Sequence, residues 1–582
     1  MSRPPAESEP PAGGAPEDDA DGGRAGDALP RESEPAPAAT VAGATARAGV
    51  RRSPAAALLV AMGILLTRLF GLVRSRVTAT YLGTSDAADV FTAATRIPNF
   101  LQNLFGEGVL SASFIPVYAR LLAEGRREES DRVAGSVFGL LAATVALLVA
   151  VGVLATPLVV DTVASGFDGE KRELTIRLVR ILFPGTGLLV LFAWCLGILN
   201  SHGRFFLSYV APVVWNLAIV GALLWGGVRG VPPDLLVEQV AWAVVLGSVL
   251  QVGVLLPSAI GVLGAFRPSL GRASAHVREV VRNFVPAFVA RGAVQISAYV
   301  DLGYASHLGT GAQAALGYAQ AIYLLPVSLF GMSVAAAALP AMSGSTGSPE
   351  AIHAALRARL GRDLRQVAYF VVPSAAAFVA VGDLVAGVIL QSGAFTRETS
   401  IYVWAILAAS APGLLVATVG RLYSSAFYAL QDTRTPLRYS LVRIVLSVTL
   451  GWLAAFPLPR VLGIDRGWGV AGLTLASGVA GMVEYGLLRR GLQRRIGAVG
   501  LPTRFLLALW GSAALAAGIG WLARGRVGGL DVLVSGSAVL AAFAITYLVA
   551  TIALGVPEAR TVLGRVAARL PGTSRGRRSG SA

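Results

Sequence analysis

The chain has 582 residues, 54% of them hydrophobic and only 14% charged, with a mean hydropathy of +0.65. Such a composition excludes an ordinary soluble protein and is long enough for many membrane spans. A formal charge of +16 would suggest nucleic acid in a soluble chain, but here the arginines fall mostly in short loops between apolar segments, where topology and lipid contact account for them.

Residues 1–52 are rich in Pro, Ala, Glu, Asp and Gly and have no hydrophobic run behind a basic start, so they read as a disordered cytoplasmic tail rather than a signal peptide. About fourteen apolar segments follow, at roughly 55–76, 87–119, 135–163, 175–200, 206–227, 236–264, 281–307, 312–342, 366–391, 400–428, 437–457, 468–488, 503–523 and 530–554. They predict an all-α polytopic membrane protein with about fourteen transmembrane helices. Basic loops follow the second, sixth, eighth, tenth and twelfth segments, for example Arg120, Arg126, Arg127 and Arg132, then Arg267, Arg272, Arg278 and Arg282. The intervening loops are short or acidic. An even number of spans with both termini in the cytoplasm satisfies this alternation. The tail at 557–582 carries Arg575, Arg577 and Arg578, which are expected near the anionic inner leaflet.

The chain repeats itself. Leu82 recurs as Leu308 in an LGT triplet, Pro98 as Pro326, Phe105-Gly106 as Phe330-Gly331, Pro116 as Pro340 and Pro184-Gly185 as Pro412-Gly413, at offsets of about 225 to 228 residues. Two pseudo-symmetric six-helix lobes are therefore expected, at 53–265 and 266–500, with a pseudo-two-fold axis along the membrane normal and a site between them. Two accessory helices occupy 501–556.

Charge inside apolar segments marks the candidate site. A charged side chain at the bilayer centre costs about 2.5 to 3.5 kcal/mol, so a cluster needs a polar cavity. Arg68, Arg74, Arg96, Asp89 and Glu107 fall in or beside the first two segments, and Arg291 and Asp301 in the seventh. The last two are ten residues apart, about 15 Å along a helix, which suits separate levels of a cavity. Arginine suits phosphate because its planar fork makes bidentate bonds and stays charged, so Arg68, Arg74, Arg96 and Arg291 are candidate substrate-binding groups. Asp89, Glu107 and Asp301 are candidates for pairing them, for binding a coupling cation or for capping helix ends. Gly106, Gly108, Pro98 and Pro326 are candidate hinges, since such residues free backbone groups and permit bending. The single Cys195 excludes an internal disulfide, and the four histidines lack ligand spacing, so no metal site and no cofactor are expected. No spaced acid/base constellation favours an enzyme.

RLFGLVRSRV, RIPNFLQNLFGEGVLSASFIPVYA, the GAFT at Gly393 to Thr396 and AFYALQDTRTPLR at Ala426 to Arg438 together resemble the MurJ/MviN lipid II flippases of bacterial cell-wall synthesis. The resemblance implies the MOP exporter fold, whose two lobes alternate access to a central cationic cavity while the last two helices form a groove for a lipid tail. It implies a cargo of undecaprenyl-pyrophosphate-linked peptidoglycan precursor, moved from the inner to the outer leaflet of the cytoplasmic membrane. A membrane potential or a monovalent coupling cation would drive the cycle. Arg68 and Arg74 match the family's first-helix cavity arginines, and Asp89 and Glu107 its second-helix carboxylates. Two positions depart: PNFLQN stands where PNLLRR is common, and YAQAI where YADR is common, so Gln102 and Ala321 occupy arginine positions. Positive charge from Arg291 and Arg421 would compensate, or the cargo would differ. The readings carried forward are a lipid II flippase, an exporter of another polyprenyl-linked glycan or small solute, and a non-transporting scaffold for cell-wall synthesis proteins.

Overall fold

A computed structural model describes residues 54–271, 274–332, 334, 348–527 and 529–567. The tail at 1–52, Pro340 and the arginines after 567 lie outside the described residues. Within them the chain is helical apart from loops and one isolated bridge between Ser392 and Phe395.

The first apolar segment is α1 (Pro54–Leu82). The second is broken into α2 (Asp86–Phe105), α3 (Glu107–Ser113) and α4 (Ile115–Ala123). Gly106 caps α2 and starts α3, and Pro116 lies in the first turn of α4, where its missing N–H costs no hydrogen bond. Then come α5 (Arg127–Leu154), α6 (Thr156–Val163), α7 (Gly169–Ser201), α8 (Phe205–Val228) and α9 (Pro233–Ile260). The second half has α10 (Ala275–Ser306) and α11 (Ala312–Pro326), which passes at Pro326 into a π-helical turn (Val327–Met332). It continues with α12 (Pro349–Ala380), α13 (Gly382–Leu390), α14 (Arg397–Ala429), α15 (Arg434–Ala455), α16 (Pro457–Leu462) and α17 (Gly469–Ile496). The chain closes with α18 (Thr503–Val527), α19 (Val532–Ala553) and α20 (Pro557–Ala567).

The described residues of the expected segments fall almost entirely on a helix or an interrupted run of helices; residues 333 and 335–342 of the eighth lie outside the described residues. By length and apolarity, however, ten described helices qualify as spans, or eleven when the pair α12–α13, bent by 91°, is taken as one. The three that do not qualify are α1, the broken run α2–α4, and α10. They are the segments that carry Arg74, Arg96 and Asp301.

Packing repeats along the chain. In the first set α7 packs on α9, α8 on α9, α1 on α8 and α2 on α7; in the second α14 packs on α17, α15 on α17, α10 on α15 and α11 on α14. Each contact has its counterpart, as the sequence offsets require. Lipid tails are as apolar as leucine, so such pairs associate through close backbone approach at small residues. At Gly413 of α14 an added Cβ would stand 2.6 Å from the Gly478 Cα of α17. Helices α18 and α19 pack on each other and against α12 and α13. The beginning of the expected basic tail is helical: Arg365 holds Glu558 of α20 at 2.8 Å and lies over the Phe505 ring.

Candidate functional site

The two lobes meet in a clasp at the end of α1. Ser85 caps α2, its hydroxyl accepting from the Ala88 N–H, and so points Asp86 and Asp89 at the second lobe. Asp89 is fully buried. Its carboxylate accepts from the Gly311 N–H at 2.7 Å and the Ala314 N–H at 2.8 Å, the first donors of α11. An anion satisfies these orphan donors and the positive end of the helix. Lys171 of α7 donates to Asp89 at 2.8 Å and to Asp86 at 2.6 Å, and Thr310 donates to Asp86 at 3.0 Å. Beside it, Arg76 of α1 donates to the carbonyls of Val388 and Ile389 at 2.7 and 3.2 Å. The Ala394 N–H donates to the Thr80 carbonyl at 2.8 Å, and the Thr80 and Ser392 hydroxyls stand 2.6 Å apart.

The charged candidates come from both lobes. Arg74 of α1 is half-buried, its guanidinium 5.0 Å from the centre of the Trp215 ring of α8; it has no carboxylate partner among the described residues. Arg68, on the same helix, is exposed. Arg96 of α2 crosses to the second lobe and donates to the Gln320 side-chain carbonyl of α11, while Tyr299 of α10 donates to the Arg96 carbonyl at 2.9 Å. Pro98, two residues on, lies inside α2.

Next to this crossing lies a cavity of about 200 Å³ whose polar lining includes Asp301, Gln320, Tyr323, Arg421 and Arg443. Arg443 is 3.4 Å from Glu484, which also accepts from Ser440 at 2.6 Å. Arg421 has no carboxylate partner among the described residues. One carboxylate oxygen of Asp301 is buried without a hydrogen bond. A buried acceptor of that kind is costly unless a mobile or bound group visits it.

The structure thus places Asp301 and Arg421 in the lining of one second-lobe cavity, brings Arg96 of the first lobe onto Gln320 of that lining, and assigns Asp89 to the clasp, paired with a lysine rather than an arginine. The backbones of Glu107 and Arg291 lie in α3 and α10, but their side chains lie outside the described residues. Gly106 is the break between α2 and α3, whereas Gly108 continues α3. Sequence reasoning missed Lys171, Arg76, Gln320 and Arg443. One signal was available: Lys171 is the only lysine in a chain with 49 basic residues. Among the described residues no group of three or more His, Cys, Asp or Glu is arranged to hold a metal ion.

Residues 78–540 match the sequence model of the family described as "Lipid II flippase MurJ". A probable lipid II flippase MurJ of Rhizobium tropici is 34% identical over 413 residues, covering 70% of this chain and 76% of that protein. The lipid II flippase MurJ of Burkholderia cenocepacia is 31% identical over 478 residues, covering 80% and 89%. Among solved structures, a lipid II flippase MurJ in an inward closed conformation superposes with a TM-score of 0.71 at 22% identity, over 88% of this chain and 100% of that one. An inward-facing MATE family transporter of the MOP superfamily gives 0.59 at 16% identity, over 75% and 98%. These two similarities bear on the fold.

Proposed function

This chain belongs to the MurJ lipid II flippase family, and from that membership we propose how it carries its cargo. It is a multi-pass membrane transporter and not an enzyme, and it translocates lipid II by alternating access. Lipid II presents a diphosphate, a glycopeptide head and a polyprenyl tail, so its carrier must satisfy anionic charge inside the bilayer. In the proposed arrangement Arg74 and Arg421 take the diphosphate, with Arg68 and Arg291 supplying further positive charge. The observation that carries this reading is that both Arg74 and Arg421 lack a carboxylate partner among the described residues, while most other interlobe charge is spent on the Asp89 clasp.

With the termini in the cytoplasm, as the alternating basic loops favour, the clasp closes the outer face and cargo enters from the inner leaflet. Release then requires Asp89 to leave α11 and Arg96 to leave Gln320. The lobes rock, and Gly106 and the π-helical turn after Pro326 take up the bending. A membrane potential or a monovalent cation visiting Asp301 supplies the direction. Gln102 and Ala321, at positions where arginines were expected, favour one second reading, a different polyprenyl-linked glycan as cargo.

The test is depletion of the resident lipid II flippase in a tractable bacterium. Rescue of growth and of outer-leaflet lipid II by this protein, lost in Arg74→Ala and Arg421→Ala, is expected. Failure to rescue by an abundant, inserted protein would move the assignment to the second reading.

A further inference from the structure

A groove of about 760 Å³ that shares no lining residue with the cavity opens along α10, within the roughly 300–1,000 Å³ of ordinary ligand sites. Its floor is one face of α10: Ile296, Tyr299, Val300, Gly303, Tyr304 and His307 recur at helical spacing. The stripe runs about 16 Å along the helix, half of the roughly 30 Å hydrocarbon core and therefore the depth of one leaflet. One wall is α6 of the first lobe with Thr162 and Val163; the other is Trp452 and Phe456 of the second lobe. Phe456 meets Tyr304 edge-on at 5.7 Å and His307 at 6.2 Å, and Phe100 meets Tyr299 edge-on at 5.4 Å.

The groove is polar at one end. Arg460 of α16 lines it, is exposed, and has no carboxylate partner among the described residues. His307 and Ser165, also in the lining, form a hydrogen bond of 3.0 Å at the same end. Tyrosine and tryptophan bodies below an arginine head are the arrangement of a membrane interface, where a cation stays with the phosphates while apolar surface lies under it.

We propose that this groove holds one acyl chain of an anionic phospholipid from the leaflet on the clasp side, with the lipid phosphate at Arg460. The depth matches one leaflet, the walls are apolar and aromatic, and the unpaired cation selects the sign of the headgroup. Because the walls belong to different lobes, the bound chain favours the arrangement in which α6 and α10 are held together by the Gly166 N–H donating to Ser306 at 2.9 Å.

The experiment is native mass spectrometry of the full-length protein released from detergent after incubation with equimolar phosphatidylglycerol and phosphatidylcholine. The wild type is expected to retain one phosphatidylglycerol with a preference of about five-fold, the size of one arginine's attraction to an anionic lipid surface. Arg460→Gln, a surface change, should bring the preference to parity. Gly303→Leu, which fills the floor, should lower retention of both lipids. Equal retention of the two lipids by the wild type, or an unchanged preference in Arg460→Gln, would overturn the proposal. So would displacement of the retained lipid by lipid II that itself depends on Arg460. The measurement reads binding alone, so its failure is distinct from any failure of transport.

Discussion

Lys171 places its ammonium 2.8 Å from the buried carboxylate of Asp89, and the same carboxylate caps the first turn of α11 in the other lobe. One buried anion thus joins three elements, and the compact ammonium of lysine reaches both Asp89 and Asp86 where the planar fork of arginine would engage one carboxylate face. A transporter that opens here must break a buried charge pair and two backbone hydrogen bonds together.

Removing that anion should loosen the clasp. Asp89→Ala leaves two helix-end N–H groups unpaired and Lys171 with Asp86 alone, a loss of about 1–3 kcal/mol for each buried donor left without a partner in the clasped state. The Thr84 and Thr399 hydroxyls are 3.5 Å apart across the lobes, so a Thr84→Cys/Thr399→Cys pair reports closure by disulfide yield. The yield should fall sharply in Asp89→Ala and less in Lys171→Met, where the backbone donors remain. An unchanged yield in Asp89→Ala would refute the role.

Strengthening the crossing should trap the protein. Arg96 meets a neutral amide at Gln320, and Gln320→Glu would make that bond charge-assisted on both sides, worth about 1.5–3 kcal/mol. Outer-leaflet lipid II should drop by about ten-fold or more while closure of the cysteine pair rises. Transport at the wild-type level would show that the crossing does not open during the cycle.

Gly393 lies at φ +54°, and an added Cβ would stand 2.4 Å from the Thr80 carbonyl oxygen. Gly393→Ala therefore carries both left-handed strain, about 1–3 kcal/mol, and a collision in the clasp. Gly309 has φ +103° but open space around it, so Gly309→Ala carries strain alone. Disulfide yield should fall more for Gly393→Ala; equal effects would mean that strain rather than approach of the lobes sets the requirement.

Arg74 should tolerate lysine poorly. Arg74→Lys keeps the charge but loses the fork that pairs with phosphate, so lipid II exposure should fall by about ten-fold, against near-complete loss in Arg74→Ala. Trp215→Leu removes a cation–π contact worth about 0.5–2 kcal/mol and should give a milder defect. Labelling of lipid II with an impermeant probe measures all three, and a wild-type signal in Arg74→Ala would remove Arg74 from the cargo path.

Much was legible in the chain itself. Apolarity over some twenty residues is a local property and a bilayer admits few backbone solutions to it, so the described parts of the expected segments fall on helix. The offsets of Pro98 with Pro326 and Pro184 with Pro412 foretold the paired packing of the lobes. Of the helices with charges inside apolar stretches, α10 lines the cavity through Asp301 and α2 reaches its lining where Arg96 meets Gln320. What the chain could not disclose is which charges meet. Arg96 finds Gln320 across 224 positions and Asp89 finds Ala314 across 225, distances over which no periodicity carries information. Lys171 and Arg443 look like ordinary loop or helix cations until the helices pack. Only the tertiary structure decided that Asp89 joins the two lobes while Arg421 has no carboxylate partner among the described residues, because pairing depends on which helix faces the two lobes present to each other.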